Sequence, residues 1–506
     1  LISKTNGFYA RDYSLNLGWN NMRYIIEASF LHAQLLNRTL VIPSFIYARS
    51  CEAVDVEACA AFAEMVNRGD ALGSNEWRQR PQREQLGWKI PIELMIDLER
   101  ARQYHPVITT REFLEIHGVD PVVEDSRGQW NNITYHNTTA PLTSPTLFVL
   151  LNGQYDPRGT TRVDRITRRV PNPAPGSPEA NALFSVRRTV ESDSWGTMAI
   201  EDVRNAFVRL AIAPWGEGSR EADIEEFLGR YGLIPVYTYE GRINQNLQKS
   251  IAHRATRVVQ SASMNGLVDD LRNRTEDVLL VTGELHDQRR PGFLFFTSPT
   301  ARDDFTSTVL HGLTHIDSIS LLADALAERM RELNGGRMWM AAHWRRGDFL
   351  RWGVALDPTI QGGIKHIRLR LSEGARFLEA SMHQPKVLPD IPGAFPDTSF
   401  DDALPPAPDD KWLLATDERD ESVLNFARSE NAILLSDLLA EDPSLRRLVG
   451  WPLLVGDIQA LVAQECLARA AFFFGQDRSS VVGGVVNLRA ARGMDPRTTK
   501  LDRLSW

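Results

Sequence analysis

Short apolar runs alternate with longer amphipathic stretches along most of this chain. Tyr9–Leu15 reads as a strand, followed by a Gly18-Trp19-Asn20-Asn21 turn. Met22, Ile25, Ile26, Ala33 and Leu36 then recur along one stripe, which predicts a helix ending near Asn37. Thr39-Leu40-Val41-Ile42-Pro43 reads as the next strand, completing a βαβ unit with a short loop at its first strand-to-helix junction. Pro106–Thr109 precedes another polar-apolar stretch at Arg111–Leu114, and Leu147–Leu151 reads as a further core strand.

The pattern is clearer in the second half. Ile319–Leu333 is amphipathic with helical spacing, and Gly335-Gly336 suits its C-terminal stop. Strands are predicted at Arg337–Ala342, Lys411–Ala415, Ala432–Leu435 and Ala471–Phe474. Thr416 or Asp417 is expected to cap a helix running to Phe426, and helices are expected at Ile458–Ala470 and Ser479–Arg489. Alternating strands and helices predict an α/β protein with doubly wound parallel sheets, because each crossover helix must cover a sheet face. A chain of 506 residues exceeds one ordinary core. Two such domains facing across a cleft are expected, divided into 1–316 and 317–506. Two proline-rich stretches, from about Gln154 to Ser194 and from His383 to Asp410, read as insertions or loops.

Composition narrows the partners. A net charge of −8 excludes a general nucleic-acid binder, which needs a basic excess to neutralise phosphates over an extended surface. No apolar run approaches the roughly 18 residues of a membrane span. The chain begins at Leu1 rather than Met, which leaves room for a signal or anchor upstream of the sequence. Cys51 and Cys59 are close enough to bridge, Cys466 lies in an apolar helical pattern, and no zinc spacing occurs. Glycosylation sequons at Asn37, Asn132, Asn137 and Asn273 slightly exceed the two or three that chance gives at about this composition, and lean toward a secretory compartment.

Chemistry concentrates where the predicted strands end. Met338–Ala342 is apolar, and His343-Trp344-Arg345-Arg346-Gly347-Asp348-Phe349 follows at once. Open α/β sheets place ligands at such carboxyl strand ends, and arginine offers a permanent, bidentate charge suited to phosphate. Strand alternation sets His343 and Arg345 on one face and Arg346 on the other. Arg345 is therefore the favoured diphosphate clamp, and Arg346 a structural ion-pair partner, with Asp348 as its candidate mate. Ala415-Thr416-Asp417 ends a second strand in a carboxylate that would equally serve as a plain helix cap. Gly475-Gln476-Asp477-Arg478-Ser479-Ser480 joins a third strand to a helix start, where free backbone N–H groups and hydroxyls form an anion seat. Gly18, Asn20 and Asn21 occupy the same kind of junction in the first half, where an ordinary turn is the rival reading.

These four islands together resemble the GDP-fucose protein O-fucosyltransferase family. His343-Trp-Arg345-Arg-Gly-Asp348-Phe349 is similar to that family's His-x-Arg-x-x-Asp-Phe/Trp motif. Gly18-Trp-Asn20-Asn21-Met-Arg23 with Leu35–Pro43 resembles its N-terminal motif, and Ala415–Asp417 and Phe474–Ser480 its third and fourth. Order and spacing fit over most of the chain, as islands between long unmatched insertions. The resemblance implies a GT-B fold and an inverting, metal-independent transferase without cofactor, moving fucose from GDP-fucose to Ser/Thr hydroxyls of proteins in the ER or Golgi lumen. It implies catalytic roles for Arg345, at the leaving β-phosphate, and for Asn21, at the reaction centre. His343 would contact the nucleoside side of the donor, Asp417 would orient the nucleoside, and Ser479 and Ser480 would bind phosphates, with Gly18 and Asn20 also on the donor. Partners would be a GDP-sugar and a protein acceptor, with membrane contact only through an anchor outside this sequence.

Two departures qualify the resemblance. Some members carry a glutamate just before the first motif as general base, and Leu17 occupies that place here. Glu27 and Asp97 are possible substitutes; otherwise proton transfer must come late on an oxocarbenium-like route. The family's guanine-contacting carboxylate falls at Ala463, with Asp457 and Glu465 nearby. Alternatives are a glycan-directed or other nucleotide-sugar transferase, or a silent binding protein that keeps the cleft without turnover. A two-carboxylate glycosidase has no spacing to support it.

Overall fold

The first apolar run becomes strand β1 (Phe8–Arg11) in the computed structural model, shorter than its pattern predicts. Residues 4–13, 15, 17–48, 56–67, 86–136, 144–212, 221–240, 250–283, 290–351, 353, 357 and 359–502 are described. Helix α1 (Trp19–Leu35) follows, so Trp19, Asn20 and Asn21 form a helical first turn rather than a loop, with Gly18 as N-cap. Strands β2 (Thr39–Ile42), β3 (Val107–Thr109), β4 (Leu147–Leu151) and β5 (Val278–Thr282) complete an all-parallel sheet of order β3-β2-β1-β5-β4. The expectation that Leu147–Leu151 is a core strand is corrected. β4 is the sheet edge, and Val149 and Leu151 are exposed there.

α1 is buried on nearly every side, although Glu27, Ser29 and His32 are polar. The inner polar groups are matched by β1: Tyr9 Oη shares a hydrogen bond with His32 Nδ1 at 2.9 Å, and Arg11 Nη1 donates to Ser29 Oγ at 3.1 Å. Such pairing is what makes buried polar atoms tolerable.

Between β4 and β5 the chain makes an inserted layer. Strands Met198–Ala199, Leu233–Tyr239 and Arg254–Gln260 form an antiparallel sheet. Helices Pro178–Thr189, Ile200–Arg209 and Glu221–Arg230 pack on it around Val186, Phe207, Leu228 and Val258. Of the two readings of residues 154–194, insertion or loop, the stretch belongs to this inserted layer and the loop reading is corrected, since it contains a helix. Pro178 begins a helix because Ser177 caps the Ala180 N–H and proline suits the first helical position. The stretch 383–410 holds no helix or strand.

The second half folds as the alternation predicts, with shifted boundaries. Helix α2 (Asp317–Leu333) ends at Gly335 and Gly336, which adopt φ of 61° and 82°. Strand β6 (Met340–Trp344) starts later than expected, because Arg337 is held by Asp410 and the Met338 N–H bonds Leu404 O before the sheet begins. Helix α3 (Ile360–Ser381), strands β7 (Trp412–Thr416) and β8 (Ala432–Leu434), helix α4 (Gly456–Ala468), strand β9 (Phe472–Gln476), helix α5 (Ser480–Ala491) and strand β10 (Thr499–Asp502) follow. Sheet order is β8-β7-β6-β9-β10, all parallel. Neither Thr416 nor Asp417 caps the helix after β7. Asp420 does, from a turn three residues further on.

α3 covers one face of this sheet, and α2, α4 and α5 cover the other. Gly363 and Gly374 let α3 lie against Trp344 and Phe472. Two doubly wound domains are the GT-B-like arrangement implied by the resemblance. Among the described residues no helix is long and apolar enough to cross a membrane. Cys59 is disulfide-bonded and Cys466 is free and buried, while Cys51 and Asn137 lie outside the described residues.

A Cβ at Gly374 would sit 2.4 Å from Phe472 Cδ1. Gly374→Ala is expected to cost about 1–3 kcal/mol by overpacking, read as a lower thermal midpoint with unchanged secondary structure by circular dichroism.

Candidate active site

In both sheets the strand order reverses beside the first strand of the domain, next to β1 in one and between β6 and β9 in the other. Crossover helices leave those two neighbours on opposite faces, so a crevice opens at their carboxyl ends. Arg345 is the first residue beyond β6 and sits in that crevice. Its N–H donates to Gln476 Oε1 at 2.6 Å, and Gln476 is the last residue of β9. Its Nε lies 3.2 Å from Asp417 Oδ2, just beyond β7, and its guanidinium stands over the Phe349 ring at 5.9 Å.

Asp417 also accepts the N–H groups of Arg346 at 2.7 Å and Gly347 at 3.2 Å through Oδ1. A side chain at Gly347 would meet Asp417 Oδ2 at 2.8 Å. The carboxylate given a nucleoside-orienting role by the resemblance is thus engaged with the arginine turn. Arg346 lies on the opposite face, over the Trp344 ring at 5.0 Å, as alternation requires. It is an ion-pair partner of Glu418 at 2.8 Å, because the strand's end brings the β7 turn beside it, while the side chain of Asp348, its expected mate, lies outside what is described.

Around Arg345 several buried polar atoms have no partner among the described residues: His343 Nδ1, Gln476 Nε2 and Ser479 Oγ. Ser479 is the N-cap of α5, yet its hydroxyl makes no capping bond. Ser480 opens the helix beside it. Unsatisfied first-turn N–H groups and the helix dipole make this end receptive to an anion. Burial, then the neighbouring Arg345 charge, pushes the His343 pKa down to about 3, so it is a neutral hydrogen-bonding group at physiological pH.

The first turn of α1 meets the first turn of α5 across the domain junction. Gln464 on α4 donates through Nε2 to Val481 O at 2.7 Å and Asn20 Oδ1 at 3.2 Å. Gly484 is required beneath that amide, since a Cβ there would lie 1.9 Å from Nε2. Asn21 Oδ1 is buried without a partner among the described residues. Asn20 therefore stands on the side of the junction facing α5, with Gly18 as N-cap and Asn21 in the same first turn of α1. Leu17 packs partly against the core. The two possible substitute bases are otherwise engaged. Glu27 is buried and bonded to Arg23 at 2.7 Å, and Asp97 caps the Arg100 N–H of helix Leu98–Tyr104.

Sequence reasoning missed the junction's buried charge network. Arg23 Nη2 donates to Leu313 O at 2.9 Å, and Nη1 lies 3.3 Å from His315 Nε2. Arginine only donates, so Nε2 accepts and His315 Nδ1–H donates to Glu465 Oε1 at 3.0 Å. Arg469 closes the string, bonding Glu465 Oε2 at 2.5 Å and Asp324 Oδ1 at 2.6 Å. Burial opposes the Glu465 charge, but the His315 hydrogen bond and Arg469 outweigh it and hold the pKa near about 2. Burial lowers that of His315. Glu465 is thereby committed to the junction, while Ala463 and Asp457 are half-buried, Asp457 in the first turn of α4. These partners lie 292 and 150 residues apart, so no local pattern announces them. Gln476 had a signal that went unused: an amide ending an otherwise apolar strand.

Fold and site define a two-domain α/β protein with an arginine and a helix N-terminus at a sheet's switch point. No protein-family model matches the chain, and no curated protein matches it. Solved structures do. POFUT1 in complex with GDP-fucose matches at 11% identity and a TM-score of 0.36, over 98% of both chains. POFUT1 in complex with GDP matches at 11% and 0.38, again over 98% of both. NodZ alpha-1,6-fucosyltransferase soaked with GDP-fucose matches at 13% and 0.30, over 95% of this chain and 91% of that one. Superpositions this loose leave the chemistry of the site to its own residues. A surface hollow lined by Thr189, Glu191, Asp202, Asn205 and Arg209 lies in the inserted layer and contains none of them.

His343 and His315 stay neutral in the folded protein below the pH at which the unfolded chain protonates them. The unfolded state then binds more protons, so stability is lost as pH falls through about 6.5. Urea midpoints are expected to drop between pH 7 and pH 5, and to drop less in His343→Gln.

Proposed function

We propose that the protein is an inverting, metal-independent glycosyltransferase that moves fucose from GDP-fucose to Ser/Thr hydroxyls of proteins in the secretory lumen. The observation that carries this reading is Arg345, braced by Asp417 and Gln476 at the β6–β9 crevice beside the open N-terminus of α5. A leaving nucleoside diphosphate gains negative charge as the sugar–oxygen bond breaks. A guanidinium and helix N–H groups already fixed there act more strongly on the transition state than on the bound donor. The fucose and the guanine rest on the four motifs.

In this reading the donor phosphates lie against Ser479, Ser480 and Arg345, with His343 as a neutral hydrogen-bonding partner. The acceptor hydroxyl approaches from the α1 side, where Gly18, Asn20 and Asn21 stand. With Leu17 packed on the core and Glu27 and Asp97 engaged, the acceptor proton leaves late, to solvent, after the bond to the diphosphate is largely broken. Lumenal residence is supported by the disulfide at Cys59 and by exposed sequon asparagines at Asn37, Asn132 and Asn273.

Leu17 also favours a second reading, a silent GDP-sugar-binding protein without turnover. Calorimetry with GDP and GDP-fucose, alongside an assay of GDP release with and without acceptor peptide, separates the two. Absence of binding at millimolar GDP in a folded sample overturns the donor assignment. Arg345→Ala is expected to lower turnover by about a hundredfold or more, with a folded spectrum retained; equal donor hydrolysis in both proteins overturns catalysis.

A further inference from the structure

We infer that Gln476 is a diphosphate-binding residue that also positions Arg345, an inference that rests on the donor reading above. An amide side chain has one acceptor and one donor end, and their orientation is normally assigned rather than observed. Here the backbone settles it. The Arg345 N–H can only donate, so the atom facing it at 2.6 Å is Oε1, and Nε2 points away from that bond as a donor. Gln476 is fully buried, and Nε2 has no acceptor among the described residues. A buried donor without an acceptor is costly, so Nε2 at this strand end is poised to take an acceptor from a ligand.

The neighbours identify that group. Ser479 Oγ, three residues on, is likewise buried and unpartnered, and α5 begins beside it. Arg345 supplies charge on the other side. Two donor-capable side chains, a helix N-terminus and a guanidinium suit a ligand rich in acceptor oxygens, which describes a diphosphate. Arg345 contributes attraction, and the neutral Gln476 contributes direction. Because one amide holds both the Arg345 backbone and the ligand oxygen, loading the ligand also fixes the turn that carries the guanidinium.

Gln476→Glu separates these roles, since a carboxylate still accepts the Arg345 N–H but loses the donor and places negative charge at the phosphate. GDP and guanosine are titrated by calorimetry into wild type and variant, with folding checked by circular dichroism. The expected result is GDP affinity weakened at least tenfold and guanosine affinity changed less than twofold. A merely structural role would weaken both alike, and that outcome overturns the inference, as does equal GDP binding by the two proteins. If the glutamate variant does not fold, Gln476→Met keeps the volume, removes both hydrogen bonds, and is held to the same split. Wild type that binds no GDP overturns the donor reading itself, whereas wild type that binds GDP with no change in the variant overturns only the role of Gln476.

Discussion

The largely buried string from Glu27 through Arg23, His315 and Glu465 to Arg469 is the constraint on which the arrangement of the candidate site depends. Charges removed from water are tolerable only when paired in good geometry, and breaking one pair strands its partner. Apolar contact between two domains allows sliding; directional bonds between an arginine, an imidazole and a carboxylate do not. The string ties α1 to the Leu313–His315 segment and to α4. One turn away, Gln464 couples Asn20 to the start of α5. Two helix N-termini from different domains are thereby brought to one place, which neither domain achieves alone.

Within that place the arginines divide their work through their partners. Arg346 is buried, stacked on Trp344 and paired with Glu418, so its charge is spent on holding the strand end. Arg345 is about one-third exposed and paired with an Asp417 side chain as exposed as itself. An ion pair that open to solvent is weak and easily exchanged for a phosphate. Asp417 thus orients the guanidinium, and its bonds to two successive N–H groups fix the turn from which Arg345 projects.

Much of this was legible in advance. Alternating strands and helices predicted two parallel sheets, and the motif His343–Phe349 lies at the carboxyl end of its strand. Errors were local. β6 starts at Met340 because bonds to Asp410 and Leu404 occupy the residues before it, and periodicity does not register such partners. The proline-rich stretch hid a helix because proline at a first turn looks like proline in a loop. β4 reads as core by composition and is an edge by topology, since apolarity does not say which strand will lie outermost.

What the sequence determined by itself is the local chemistry: which residues alternate and where strands give way to charge. Those follow from the fixed geometry of a strand and need no distant partner. What only the tertiary structure decided is pairing: Arg345 with Asp417 and Gln476, Arg346 with Glu418, His315 with Glu465, and Asn20 with Gln464. Each joins residues far apart in the chain, and hydrogen bonds act over a few ångströms whatever the sequence separation. Their identity is set only once the sheets have ordered their strands and the domains have met.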